Sequence, residues 1–188
     1  MSPILGIWAS AQQLRFGGSY ESIATVTVGS GGSSTITFSS IPSTYTHLQI
    51  RCIARHTGAD TDNNIYIQYN SDTASNYSNH FLRGNGAIAD AGGAANTANP
   101  YVLRVSGASS SANIFGVGVV DILDYANTNK FKTVRSLTGH DQNGSGVVFF
   151  NSSNWRSTSA ITSITLFGIG FDIAQYSSFA LYGIKGSA

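Results

Sequence analysis

Residues 130–150, KFKTVRSLTGHDQNGSGVVFF, carry the clearest structural signal in the chain. Two strand-like segments, 130–141 and 146–150, flank the dipeptide Asn143-Gly144. Asn and Gly both tolerate positive φ, which the central positions of a tight hairpin turn require. This stretch therefore predicts an antiparallel β-hairpin.

Period-two alternation recurs along much of the chain. In segments 24–28, 47–52 and 65–69 every second residue is apolar or aromatic, a spacing that places those side chains on one face of a strand. Residues 36–38 repeat the pattern beyond a glycine-rich turn at 29–33, so 24–28 and 36–38 are predicted to form a hairpin. Further strands are predicted at 101–105, 114–123, 161–169 and 179–184.

The number and spacing of these segments define a fold class. We count about nine or ten short strands and no long helical pattern, which is typical of a sandwich or barrel. Charged residues make up only 10% of the chain, and its 21 glycines suit turns between short strands. We therefore expect an all-β chain folded as a jelly-roll-like antiparallel β-sandwich, with residues 19–188 forming a single domain.

Two segments depart from simple alternation. Residues 70–100 are rich in Asn, Ser, Ala and Gly, with small apolar islands at 77–82 and at Ile88. We expect a long excursion there with one helical turn. The run 114–123 is almost continuously apolar, which implies burial on both faces or at an interface.

Residues 1–18 form a separate segment that we interpret as an extended N-terminal arm. Apolar side chains on a terminal extension must be covered by the domain itself or by a neighbouring subunit. The segment would thus supply assembly contacts. The predicted contact residues are Ile4, Leu5, Ile7, Trp8, Leu14 and Phe16.

Charge and cysteine content narrow the range of partners. Ten Lys and Arg against nine Asp and Glu leave a net charge of +1. Without a basic cluster, nucleic acid is not an expected partner. No stretch approaches the roughly 18 continuous apolar residues of a membrane helix, so no membrane partner is expected. The single cysteine, Cys52, excludes an intrachain disulfide and falls in a strand pattern that predicts a buried thiol.

Residues capable of catalysis occur without a catalytic pattern. The four histidines have no HxH or HxxxH spacing. His140-Asp141 could be half of a catalytic pair, but no Gly-x-Ser-x-Gly turn exposes a serine. Asp121 and Asp124 are the only close acidic pair near a predicted core strand, which leaves glycoside hydrolysis as a remote option.

A partial calcium-loop pattern is also present. Asp60, Asp62 and Asn64 match its opening rhythm, but Ile65 stands where the loop requires Gly and the closing Glu is absent. We therefore expect no metal, no cofactor and no catalytic residue. The chain is predicted to be non-enzymatic.

Aromatic side chains remain as candidates for binding. Trp155, with some of Tyr45, Tyr66, Tyr77 and Tyr125, could form a stacking platform for sugars. Packing in the core competes with this role for the same residues. Trp155 is the candidate glycan contact.

Three segments resemble known proteins. Residues 38–51, FSSIPSTYTHLQIR, and 178–185, SFALYGIK, resemble parts of a loose group of tailed-bacteriophage virion proteins. The leader at 2–11, SPILGIWASA, is similar to the anchoring leaders of phage structural proteins. These motifs are structural, and no functional residue is carried over from them.

The resemblance implies a β-sandwich component of the virion, assembled in the host cytoplasm. The apolar arm at 1–18, the low charge density and the lack of a catalytic pattern lead us to expect a capsid decoration (cement) protein. It would be a homo-trimer that stabilises the head through contacts with the major capsid protein. The alternative is a tail protein: a tail fibre or receptor-binding module that recognises host surface glycans through residues 70–100 and exposed aromatic side chains.

Overall fold

A computed structural model describes residues 18–186. Over this range the chain forms twelve strands and no helix. Accordingly, these residues contain no helical segment able to cross a membrane. The strands are β1 (Tyr20–Thr27), β2 (Thr35–Phe38), β3 (His47–Ala54), β4 (Asp62–Tyr69), β5 (Tyr77–Gly84), β6 (Ala89–Thr97), β7 (Tyr101–Ser106), β8 (Gly116–Ile122), β9 (Lys132–Asp141), β10 (Gly146–Trp155), β11 (Ile164–Phe167) and β12 (Ser178–Ile184).

The strands form two antiparallel sheets. The larger has the order β1-β12-β3-β8-β9-β10-β5-β6, and the smaller has the order β2-β11-β4-β7. Without the two hairpins β5–β6 and β9–β10, two four-stranded sheets remain, and the chain changes sheet at every step except from β4 to β7, which pair in the smaller sheet. This is the connectivity of a jelly roll. The expected jelly-roll-like β-sandwich is therefore confirmed. The two hairpins extend the larger sheet beyond β8.

The core lies between the sheets and follows the alternation of the sequence. Every second side chain of β3, and of the second half of β4, is buried. The inward side chains are Leu48, Ile50 and Cys52 in β3 and Ile65, Ile67 and Tyr69 in β4. Each large aliphatic side chain buried in this way contributes about 1.5–3 kcal/mol. The predicted inward faces of both strands are confirmed.

The hairpin predicted around Asn143-Gly144 is also confirmed. The two residues connect β9 to β10 with φ values of 58° and 106°. The ladder then runs from Gly146 opposite Asp141 to Trp155 opposite Lys132.

The hairpin predicted between residues 24–28 and 36–38 is wrong. β1 pairs with β12 in the larger sheet, whereas β2 pairs with β11 in the smaller one. The connection crosses between the sheets, with Gly31 and Gly32 at φ values of 92° and 81°. Alternation reports only that a strand buries one face. It does not distinguish a paired neighbour from a strand on the opposite side of the core.

Two further expectations need correction. Residues 70–100 contain the hairpin β5–β6 and no helical turn. The small residues of β6 hide the strand pattern, because this edge strand is held by its backbone ladder with β5 rather than by an apolar face. In the run 114–123, β8 buries Val120 and Ile122 but exposes Val117 and Val119. The expectation that this run is buried on both faces is thus wrong for a single copy of the chain, because one face of β8 is exposed.

The predicted arm contacts lie at Ile4, Leu5, Ile7, Trp8, Leu14 and Phe16, outside the described residues. Their role stays a prediction, as does the division into an arm at 1–18 and a domain at 19–188.

Candidate interaction surface on the larger sheet

The outer face of the larger sheet, which is turned away from the smaller sheet, carries a group of exposed apolar side chains. They are between 37% and 62% exposed. We call them the apolar patch. Its members are Ile53 in β3, Leu82 in β5, Val117 and Val119 in β8, Leu137 in β9, and Val148 and Phe150 in β10.

Strand register makes the apolar patch continuous. Val119 lies opposite Leu137, and Phe150 lies opposite both Leu137 and Leu82. This row therefore crosses four adjacent strands. A second row contains the other three members, because Ile53 is opposite Val117, and Val117 and Val148 both face Gly139. Directly opposed side chains have Cβ atoms about 5 Å apart.

A cleft opens within the second row. Gly139 has no side chain and lies between the exposed side chains of Val117 and Val148, and all three residues line a hollow in the face of the sheet. The resulting cleft has a volume of about 850 Å³ and extends to the hairpin turn at Gly144 and Ser145. The patch therefore combines a hollow with a neighbouring row of larger side chains.

The hairpin strands bury several polar side chains beside apolar ones such as Val134 and Phe149, and they expose several apolar side chains beside charged ones such as Arg135. A sheet with one solvated face normally turns its apolar side chains inward and its polar ones outward. Here β5, β9 and β10 turn Leu82, Leu137 and Phe150 outward. Their buried inward side chains include Asn79, Ser136, Thr138, Asn151 and Ser153.

The inward polar side chains bind the backbone of β7. Among the twelve described strands, β7 lies at the edge of the smaller sheet and has β4 as its neighbour. Ser136 donates a hydrogen bond to the Val102 carbonyl, and Asn151 Nδ2 donates to the Tyr101 carbonyl at 3.0 Å. Thr138 Oγ1 accepts from the Arg104 amide at 3.1 Å. The fold thus uses these polar groups to satisfy a free strand edge.

A polar network borders the apolar patch. Gln49 Nε2 donates to Asp121 Oδ1 at 2.7 Å, and Tyr20 donates to Gln49 Oε1 at 2.7 Å. Arg135 lies 3.6 Å from the Asp121 carboxylate. The Arg51 guanidinium lies 5.2 Å from the centre of the Tyr20 ring. This border carries charges of both signs.

Trp155 lies in the core and is only 2% exposed. Its ring packs against Tyr69 and Tyr77, at centroid distances of 5.5 and 6.3 Å, and its Nε1 donates to Asp72 Oδ2 at 2.7 Å. Burial raises the pKa of Asp72, but hydrogen bonds, above all from Trp155, outweigh it and lower the pKa overall. The expectation that Trp155 stacks on a glycan is wrong, because core packing covers the ring.

The other aromatic candidates lie apart from one another. Tyr77 and Tyr125 are fully buried, whereas Tyr45 and Tyr66 are partly exposed. Tyr66 stacks on Phe167 in the smaller sheet, with ring centroids 5.8 Å apart. The structure does not bring the predicted aromatic set together as one platform.

The acidic and histidine candidates are engaged separately. His140 points inward while Asp141 points outward, so the two side chains of this pair lie on opposite faces of β9. Asp121 belongs to the border network, and Asp124 pairs with Lys130. Lys130 lowers the pKa of Asp124, the opposite of what a general acid for glycoside hydrolysis needs.

The side chain of Arg104 in β7 contacts the segment that resembles a calcium loop. Arg104 forms an ion pair with the Asp62 carboxylate, and its NH1 group donates to Asn64 Oδ1 at 3.2 Å. These two oxygen groups therefore already face a cation from the protein. In the part of the chain that the structure describes, no three His, Cys, Asp or Glu side chains cluster as a metal site would require.

Cys52 is buried, as predicted. Burial raises the pKa of its thiol to about 12. The thiol therefore stays protonated at neutral pH and is a poor nucleophile.

The fold and the surface together define a jelly-roll β-sandwich whose enlarged sheet exposes an apolar outer face. Comparisons with protein-family models, curated proteins and solved structures find no match to this chain. Sequence reasoning missed most of the apolar patch. The one available signal was the apolar run 114–123, for which an interface was one of two interpretations.

Proposed function

We propose that this chain is a non-enzymatic structural protein of a tailed-bacteriophage virion, a capsid decoration protein that stabilises the head. The apolar patch is the observation that carries the assembly role. The resemblance of residues 38–51 and 178–185 to virion proteins supports the choice of particle. Decoration requires binding surfaces rather than a reaction centre, and an apolar sheet face is such a surface.

The size of the patch supports an assembly role. Seven apolar side chains, each about half exposed, present on the order of 500 Å² of apolar surface, as much as the largest patch on many monomers. Burying apolar surface contributes about 25 cal/mol per Å² before the costs of association. Covering this face in an assembly would therefore supply a substantial driving force.

In this proposal the decoration protein is a homo-trimer, and residues 1–18 attach it to the major capsid protein. The alternative, a tail fibre or receptor-binding module for host glycans, loses Trp155 as its stacking residue. Asp121 and Asp124, the acidic pair considered for glycoside hydrolysis, have Gln49 and Lys130 as partners in the fold, which supports a non-enzymatic role.

Immunogold labelling tests the proposal. Antibodies raised against the purified chain are applied to particles of the phage whose genome encodes it. Labelling spread over the head is expected, because a decoration protein repeats with the capsid lattice. Labelling confined to the tail would favour the alternative. Particles that contain the intact gene but remain unlabelled, while the purified chain is labelled on the same grid, would overturn the virion assignment.

A further inference from the structure

We propose that the apolar patch is the surface through which copies of this chain bind one another, so that its occupant is a second copy. This inference rests on the assembly role proposed above and names the first partner of that assembly. It concerns the outer face of the larger sheet, whose residues are all described.

The first argument is that, among residues 18–186, the packing of the two sheets does not use the apolar patch. The inward side chains of β9 and β10 pack on β7 and satisfy its backbone, and they do so with Ser136, Thr138 and Asn151. The outward residues Leu137 and Phe150 contribute nothing to that packing. Polar side chains at these positions would leave the inner face unchanged and would keep a monomer soluble.

The second argument compares areas. A stable protein interface buries about 800 Å² on each partner, and its fully buried core is about 65% apolar. An apolar patch on the order of 500 Å² is the amount such an interface requires, with the polar border supplying the remainder. The patch is therefore large enough to form the centre of an interface between two copies.

The third argument is the charge of the border. Arg51 and Arg135 provide two positive groups, and Asp121 and Asp141 provide two negative ones. A border with equal numbers of both signs can be complementary to itself, whereas a strongly acidic or basic partner calls for a single sign. The net charge of +1 also leaves little repulsion between copies.

The fourth argument is shape. The hollow at Gly139 lies beside the row that contains Leu137 and Phe150, and the two rows belong to one continuous face. A second copy brings its own row of protruding side chains. Such a row can enter the hollow of about 850 Å³, as the close packing of an interface core requires.

Light scattering on the full chain tests the inference. The wild type is expected to have a mass of two or more chains of 19.7 kDa at micromolar concentration. Leu137→Lys and, separately, Val148→Lys are expected to weaken self-association at least about 100-fold, because each places an unpaired charge in the buried centre. The matched control is Thr37→Lys, which adds the same charge to an exposed strand position of the smaller sheet and should leave the mass unchanged. Circular dichroism verifies that all variants are folded.

Cross-linking identifies the occupant directly. Val148→Cys should join two chains with a short bismaleimide, since Cys52 is buried and gives a low background. Thr37→Cys should not. A chain lacking residues 1–17 should still form the cross-link through Val148→Cys.

Three results would overturn the inference: a monomeric wild type at about 100 µM, well above the Kd of a stable interface; association that Leu137→Lys and Val148→Lys both leave intact; or association lost only when residues 1–17 are removed. The last would assign the contact to the N-terminal segment. These results are distinguishable from a failure of the virion assignment. If the purified chain is monomeric but antibodies against it label phage heads, self-association is contradicted and the virion assignment is not.

Discussion

At the scale of single residues, the burial of polar side chains is the feature that is hardest to predict from the sequence. Lys132 is fully buried in the structure, where its Nζ donates to the carbonyls of Asn127, Lys130 and Thr158 at 2.7, 3.1 and 3.3 Å. Lysine is almost never fully buried without such partners. Asn127 and Lys130 are near Lys132 in the chain, but Thr158 is 26 residues away, so its carbonyl reaches Lys132 only in the folded protein.

His56 makes stability depend on pH. It is 1% exposed, its ring lies 4.3 Å from that of Phe171, and its Nδ1 accepts a hydrogen bond from the Gly58 amide at 3.1 Å. Burial lowers the pKa of His56, and it also lowers that of His140. Below the unfolded pKa of 6.5, the unfolded chain binds protons that the folded chain does not. The free energy of unfolding should therefore decrease as pH falls from there through the folded pKa.

Urea denaturation at about pH 7.5 and about pH 5.5 measures this effect, in a range above the titration of most carboxylates. We expect lower stability at the acidic pH. His56→Gln should reduce the difference between the two conditions, leaving the part due to His140. Equal stability of the wild type at both pH values would contradict the assignment.

At the scale of elements, the sequence predicted the β9–β10 turn correctly but did not predict which strands pair with β1 and β2. Asn143 and Gly144 specify a turn by their own backbone preferences, so the β9–β10 hairpin could be predicted from neighbouring residues alone. The pairing of β1 with β12 depends on contacts such as Val26 opposite Phe179, at opposite ends of the chain. No local pattern encodes that contact.

The hairpin turn gives a prediction for Gly144, whose φ is 106°. Gly144→Ala should destabilise the fold by about 1–2 kcal/mol, because an L side chain disfavours positive φ even where space is open. The midpoint of thermal unfolding should fall by a few degrees. Gly84→Ala is the control, since a methyl group there also meets no atom within 4 Å and its φ is not in the left-handed region. If both variants unfolded at the same temperature, backbone conformation would not explain the choice of Gly144.

At the scale of the whole molecule, the two inserted hairpins change what the jelly roll can do. They add four strands to one sheet and leave the other at four. Three of the added strands carry members of the apolar patch: Leu82 in β5, Leu137 in β9, and Val148 and Phe150 in β10. The extension therefore supplies most of the proposed interface, while the sandwich supplies its support.

Self-association should also make stability depend on concentration. A partner that binds only the folded state stabilises it by mass action, so the wild-type Tm should rise by a few degrees for each tenfold increase in protein concentration. Leu137→Lys should abolish this dependence, and Thr37→Lys should preserve it. Scanning calorimetry over two decades of concentration measures the effect. A wild-type Tm independent of concentration would contradict self-association.

The sequence by itself determined the all-β class, most strands, the inward faces of β3 and β4, and the β9–β10 turn, because each depends on alternation or on the φ preference of adjacent residues. Only the tertiary structure decided the partners of β1 and β2, the hairpin β5–β6, the burial of Trp155 and the outward direction of Leu137 and Phe150. Alternation separates the two faces of a strand but does not assign either one to the core. In β9 and β10 the inward face satisfies β7, whose backbone groups hydrogen-bond with Ser136, Thr138 and Asn151, while Leu137 and Phe150 lie on the opposite, outward face.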